Sequence, residues 1–103
     1  MTLYLVRAKP KNNLSELQKA LERGNILKLR PFGQTLHYGL QNARFDTINN
    51  YAMWVEEDYC SPPLAMERES VLDKYFDEIT VDQVKSEDEG WSKIQDMPLL
   101  WIR

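Results

Sequence analysis

The sequence predicts an α+β fold in which strands and helices follow the order β-α-β-β-α-β, with a C-terminal helix and an apolar tail after them. Three observations carry that expectation. Strand-like runs fall at 3–8, 51–57 and 78–84. Apolar stripes at helical spacing separate them. A turn-like Asp46-Thr47-Ile48-Asn49-Asn50 stands directly before 51–57 and asks for a hairpin partner at 40–46.

Residues 3–8 read as the first strand. Leu3, Tyr4, Leu5 and Val6 are all apolar, so both faces are expected to be buried, as in the middle of a sheet. Pro10 ends the run because proline has no N–H for a ladder. Asn13 stands three residues before Glu16 in a capping-box-like start, and Leu14, Leu17, Ala20 and Leu21 recur at helical spacing. Gly24 and Asn25 tolerate positive φ and supply the stop, giving a helix over 14–23.

Residues 26–39 fit two patterns. Phe32, Leu36, Gly39, Leu40 and Ala43 suit a helix, whereas Leu36, Tyr38 and Leu40 suit a strand equally well. Pro31 belongs in a first helical turn, which places a short helix near 32–38 and a strand near 40–46. In the strand over 51–57, Tyr51, Met53 and Val55 point one way and Ala52, Trp54 and Glu56 the other. Ser61 is a natural N-cap, and Pro62 falls at the first helical position. Leu64, Val71, Leu72, Tyr75 and Phe76 form the stripe of a helix over 62–76. The fourth strand covers 78–84. Ser86 and Glu89 make a second capping box, with Trp91 and Ile94 on one face of a helix over 87–96 despite Gly90. The chain continues as Met97-Pro98-Leu99-Leu100-Trp101-Ile102, apolar enough to demand docking on its own sheet or on a partner.

This layout resembles the ferredoxin-like fold, and among its members the small proteins that pair sheet to sheet as dimeric α/β barrels. The resemblance rests on element order and covers residues 3–84; residues 86–103 form a C-terminal extension of the same domain, 1–103. The long 24–40 region departs from the pattern, which expects a short connection there. The resemblance implies a sheet–sheet cavity, and in such proteins that cavity sometimes performs oxygenase, isomerase or hydrolase-like chemistry with few polar residues. A physical argument for a homodimer stands beside it. In such a fold both helices cover one sheet face, yet strands one and three are apolar on both faces, so the second face needs cover. The alternative cover is the chain's own helix over 87–96 with residues 99–102.

Composition narrows the function classes. A length of 103 residues suits one domain. Net charge is −3, and the densest basic run is only Lys28–Arg30, so nucleic acid is not expected as a partner. No apolar run approaches the ~20 residues of a membrane span, and residues 1–7 lack the basic start and apolar length of a signal peptide. The expected location is cytoplasmic. One cysteine excludes an intramolecular disulfide and multi-cysteine metal sites, and one histidine excludes His-pair zinc motifs. Glycines at 24, 33, 39 and 90 have no phosphate-loop spacing, so no cofactor is expected.

Residues with chemical potential crowd the stretch 54–64. Cys60 precedes a helix start, where the helix dipole favours a thiolate, and with His37 it would make a nucleophile pair. The simpler reading is a small packing residue, because Glu56, Glu57 and Asp58 would raise its pKa. Glu56 and Asp58 share a strand face and, with His37 or Glu67, would hold a proton or a divalent cation. The simpler reading there is a solvated strand end, or salt bridges to Arg44 or Arg68. Glu67-Arg68-Glu69 reads as a solvated helix face. Arg44, Trp54, Tyr59 and Trp101 are the candidate ligand or interface residues, although packing explains the tryptophans equally. No metal site is assigned. The leading expectation is a homodimer that binds a small molecule or a protein partner. The alternative is a cofactor-independent enzyme using His37, Glu56, Asp58 and Cys60 for acid/base or nucleophilic chemistry. Convergence of those side chains on one pocket separates the two.

Overall fold

The computed structural model describes residues 2–101. Four strands, β1 (Thr2–Pro10), β2 (Arg44–Asp46), β3 (Tyr51–Asp58) and β4 (Phe76–Val84), form one sheet in the order β2-β3-β1-β4. Every neighbouring pair is antiparallel. The unbroken apolar run of β1 is explained by its place: Val6 lies between Trp54 of β3 and Val81 of β4. Pro10 closes the strand opposite Phe76.

Helix α1 (Leu14–Glu22) buries Leu17 and Leu21. Asn13 does not cap it with its side chain; the Asn13 amide instead donates to the Lys74 carbonyl at 3.0 Å and ties α1 to the later helical segment. Helix α2 (Gly33–Gln41) occupies the ambiguous region and runs further than the sequence pattern suggested. It consumes residues 40 and 41, so the strand expected over 40–46 shrinks to the three residues of β2. Leu36 and Leu40 are fully buried while Tyr38 between them is exposed. A strand would have put all three on one face, and a helix puts only the first and last there.

The second expected helix is also different. It begins at Ala65 rather than 62, and proceeds as α3 (Ala65–Glu67), a π-helical stretch (Arg68–Leu72) and α4 (Asp73–Tyr75) without a break. Ser61 is not its cap. The Asp58 carboxylate at the end of β3 accepts the Leu64 N–H at 2.7 Å and holds Leu64 in the left-handed region at φ 62°. The Ser86 capping signal holds: Ser86 Oγ accepts the Glu89 N–H at 3.0 Å, and Glu89 accepts the Lys85 N–H at 3.1 Å. Helix α5 (Glu87–Ser92) is shorter than the expected 87–96, and the chain leaves it through successive turns to Met97.

Apolar residues gather on both sheet faces. On the first, Val6, Ala8, Ala52 and Trp54 meet Leu17, Leu21, Leu36, Leu40, Leu64 and Leu72. On the second, Leu5, Met53, Val55 and Val84 lie beneath Ile94, with Trp91 and Met97 beside them. Two glycines set the approach of the helices to β3. A Cβ on Gly39 would stand 2.8 Å from the Trp54 ring and 2.9 Å from the Val55 carbonyl oxygen, and a Cβ on Gly90 would stand 2.5 Å from a Val55 methyl.

The tail docks on its own sheet. Phe45 N–H donates to the Pro98 carbonyl at 2.8 Å and Leu100 N–H to the Ala43 carbonyl at 2.9 Å. Trp101 is buried, and its indole N–H donates to the Leu40 carbonyl at 2.6 Å. Trp101, a candidate interface residue, thus packs inside its own chain; Ile102 lies outside the described residues. Because α2 touches β3 through a glycine, Gly39→Ala should lower unfolding stability by about 1–3 kcal/mol. Urea denaturation of the two proteins would measure it, and an unchanged midpoint would contradict the packing described.

Candidate functional site

The alternation of β3 turns Trp54, Glu56 and Asp58 toward the first face, the side packed by α1, α2 and the 65–75 segment. Glu56 and Asp58 are not a solvated strand end. Glu56 is 1% exposed and Asp58 4%. Glu56 Oε1 accepts the Trp54 indole N–H at 2.9 Å. Glu67 arrives from α3 and is 0% exposed, so it is not part of a solvated helix face. Its place follows from spacing: it lies three residues after Leu64 and four before Val71, on the buried stripe.

The carboxyl groups of Glu56 and Glu67 lie against each other. Neither Glu56 Oε2 nor Glu67 Oε2 has a donor partner among the described residues. Two carboxyls in contact repel when both are charged, so the contact favours a proton on the pair. Cys60 is half-buried and points its thiol at Glu67 Oε1, at 3.9 Å. Asp58, Cys60 and Glu67 each bring one donor atom within 4.8 Å of the others.

Burial, the hydrogen bond to Glu67 and the charges of Glu67 and Asp58 raise the Glu56 pKa well above the ordinary carboxyl value; the Trp54 N–H pulls the other way and does not offset them. Glu67 is raised too, first by burial, although the hydrogen bonds from Glu56 and from its own backbone lower it. Both carboxyls of the pair are thus held above the ordinary carboxyl value, chiefly by burial. At Cys60 the Met66 backbone hydrogen bond lowers the thiol pKa, but burial and the carboxyls of Asp58 and Glu67 together outweigh it and leave it raised. That is the opposite of an activated nucleophile.

A cavity of about 280 Å³ opens above this cluster. Phe32, Thr35 and Met66 line it, together with Glu57, Asp58 and Glu67. Tyr59 and Cys60 complete one wall, and no Lys, Arg or His is among the lining residues. Thr35 reaches in from α2 and its hydroxyl accepts the Glu57 N–H at 3.2 Å. Tyr59 is largely exposed and donates its hydroxyl to Glu57 at 3.0 Å, a bond that raises the phenol pKa.

Of the residues expected to act together, Asp58 and Cys60 line the cavity and Glu56 lies behind Glu67. His37 does not line it, although it sits on α2 with a buried, unpartnered Nδ1. Arg44 donates to the Met97 carbonyl at 2.9 Å, and Arg68 pairs with Asp73 at 3.5 Å, so the expected salt bridges to the acids are replaced by these contacts. Trp54 is a buried support for Glu56, not a ligand contact. Comparison of the chain with protein-family models, with curated proteins and with solved structures finds no match.

The acid pair has a consequence for stability. The unfolded chain releases the Glu56 proton near the ordinary carboxyl pKa, and the folded chain releases it only at higher pH. Between those values the folded state binds more protons, so stability falls as pH rises. In chelator-treated buffer, Glu56→Gln should flatten this decline and stabilise the protein on its alkaline side by about 1 kcal/mol or more. Thermal melts of both proteins at several pH values would record it; parallel pH profiles would contradict the raised proton affinity of Glu56.

Proposed function

We propose that this protein binds a small positively charged ligand in the cavity at the end of β3. The supporting observation is the lining: three carboxyl-bearing residues, Glu57, Asp58 and Glu67, with no basic side chain beside them among the described residues. Phe32 and Met66 supply an apolar wall on which the body of a ligand would rest. A cation entering this space would meet the carboxyl of Glu67, whose buried Oε2 no N–H of the described residues reaches. Burial keeps the field of those oxygens from being screened by water and salt.

The reading places the site in a ferredoxin-like arrangement. The order β2-β3-β1-β4 and the helices that follow β1 and β3 support it, with α2 as an added element before β2. A homodimer is not required to cover the second sheet face, because α5 already packs on Leu5, Met53 and Val55. Beyond α5 that face carries exposed polar residues, Arg7, Thr80 and Asp82. Ligand binding is therefore assigned to each chain by itself.

A second reading is favoured by one observation, the buried contact between the Glu56 and Glu67 carboxyls, both with raised proton affinity. Two carboxyls with separated proton affinities are the usual equipment of general acid/base catalysis. Here Glu56 is sealed behind Glu67, and His37 does not join the cavity, so binding is the better-supported function.

Thermal shift against a panel of small cations and anions tests this. The panel should include primary amines, polyamines, guanidines and divalent metal ions. We expect at least one cation to raise Tm, by several degrees at a ligand concentration of about 100 Kd. Glu67→Gln should lose most of that rise. Absence of any cation response, or a response confined to anions, would overturn the reading.

A further inference from the structure

We propose that Asp58, Cys60 and Glu67 form a binding site for one divalent transition-metal ion of the zinc class, at the inner end of the cavity. The inference rests on the cation-binding reading above and names the cation.

The donor set argues for the class of metal. One sulfur and two carboxylate oxygens form a mixed set. Magnesium and calcium take oxygen donors, six to eight of them for calcium, whereas a cysteine sulfur selects zinc and its neighbours. The geometry is close to what zinc needs. With Zn–S near 2.3 Å and Zn–O near 2.0 Å, a tetrahedral ion sets its sulfur and oxygen ligands about 3.5 Å apart. Cys60 Sγ lies 3.9 Å from Glu67 Oε1, and all three donor atoms are within 4.8 Å of one another. A small inward movement of side chains would close the set. The fourth position would face the cavity and remain open to water or to a ligand atom.

An observation outside the three residues points the same way. Glu56 is 1% exposed, contacts Glu67 from behind, and has an Oε2 that no N–H of the described residues reaches. Glu67 is 0% exposed, and no N–H of the described residues reaches its Oε2 either. Buried acceptors are nearly always satisfied, and a cation at Glu67 satisfies the oxygen that no N–H reaches. Glu56 then plays the part of the outer carboxyl that orients a ligand. Asp58 is oriented by the Leu64 N–H, which holds one of its oxygens at 2.7 Å. On metal binding the Cys60 thiol passes its proton to solvent, and the sulfur's electron pair goes to the ion.

Cobalt(II) is the spectroscopic probe and zinc the affinity probe, both added to the full chain after chelation, with a non-coordinating reductant. We expect one equivalent of Co2+ to give a thiolate-to-cobalt charge-transfer absorption. It should vanish in Cys60→Ser. Zn2+ affinity, read by dye competition, should fall about 10-fold or more in Glu67→Gln. Circular dichroism of the metal-free variants shows that each is folded, and Asp58→Asn, which keeps an acceptor for Leu64, supplies a third ligand test by the same assay. No charge-transfer band in the folded wild type overturns the proposal. So does a band that survives in Cys60→Ser, or zinc binding unaltered by Glu67→Gln. If amines raise Tm while neither metal binds, the metal site falls and the cation-binding reading stands; if neither amines nor metals bind, both fall.

Discussion

The structure depends on how closely two helices approach opposite faces of β3. Gly39 lets α2 rest on the Trp54 ring, and Gly90 lets α5 rest on Val55. The next side chain in size would force the helix away from the strand, and the interior has no slack to absorb that. With α2 in place the Trp54 ring is clamped, and its only polar atom needs an acceptor. Glu56 Oε1, two residues along the same face, is that acceptor. The indole therefore serves as the anchor of a buried carboxyl, and the carboxyl in turn meets Glu67. A contact between a backbone and a ring thus governs chemistry several side chains away.

The acids at this junction are tolerated without a basic partner because each has a different means of support. Glu56 accepts the Trp54 indole N–H and has its proton affinity raised by burial. Asp58 accepts a backbone N–H and by doing so starts the helical segment. Glu67 lies against Glu56 and faces the thiol. Such an arrangement is a poor way to gain stability, since a buried charge without a partner is expensive. Clustered carboxyls with raised proton affinity beside a cavity are more often found where a protein binds or reacts than where it merely packs.

Much of this fold was legible in the sequence, and the exceptions have physical causes. The apolar run of β1, the stripe of α1 and the Ser86–Glu89 cap are local signals whose partners lie within a few residues, and each appears as expected. The failures involve partners that are distant or geometric. Leu36, Tyr38 and Leu40 satisfy two periodicities at once, and only the close seat of Gly39 on Trp54 decides between them. Ser61 has the chemistry of a cap but loses to Asp58, whose carboxylate comes from the preceding strand. Glu67 looked solvated because its neighbours Arg68 and Glu69 are; its helical distance from Leu64 and Val71 was the overlooked signal. Gly90 looked like a weak point in a helix and is instead a contact surface. At the candidate site, the acids and Cys60 were visible as a cluster, but that His37 would lie outside the cavity was not, because no local pattern reports which way a lone side chain on α2 will face.

The docking of residues 98–100 along β2 has a further meaning for how the sheet meets other chains. A four-stranded sheet has two open borders, and each is a template on which a foreign strand can hydrogen-bond. Here the borders are protected by unlike means. On the β2 side the chain's own Pro98 and Leu100 take up the backbone groups of Phe45 and Ala43, and Pro98 has no N–H to offer outward. On the β4 side Asp77, Glu78 and Asp82 are exposed, so a second copy offering the same strand would bring like charges together. One border is closed by the chain's own backbone, the other by charge. The sheet's exposure to unwanted strand pairing is therefore governed by how firmly Trp101 keeps that last stretch in place.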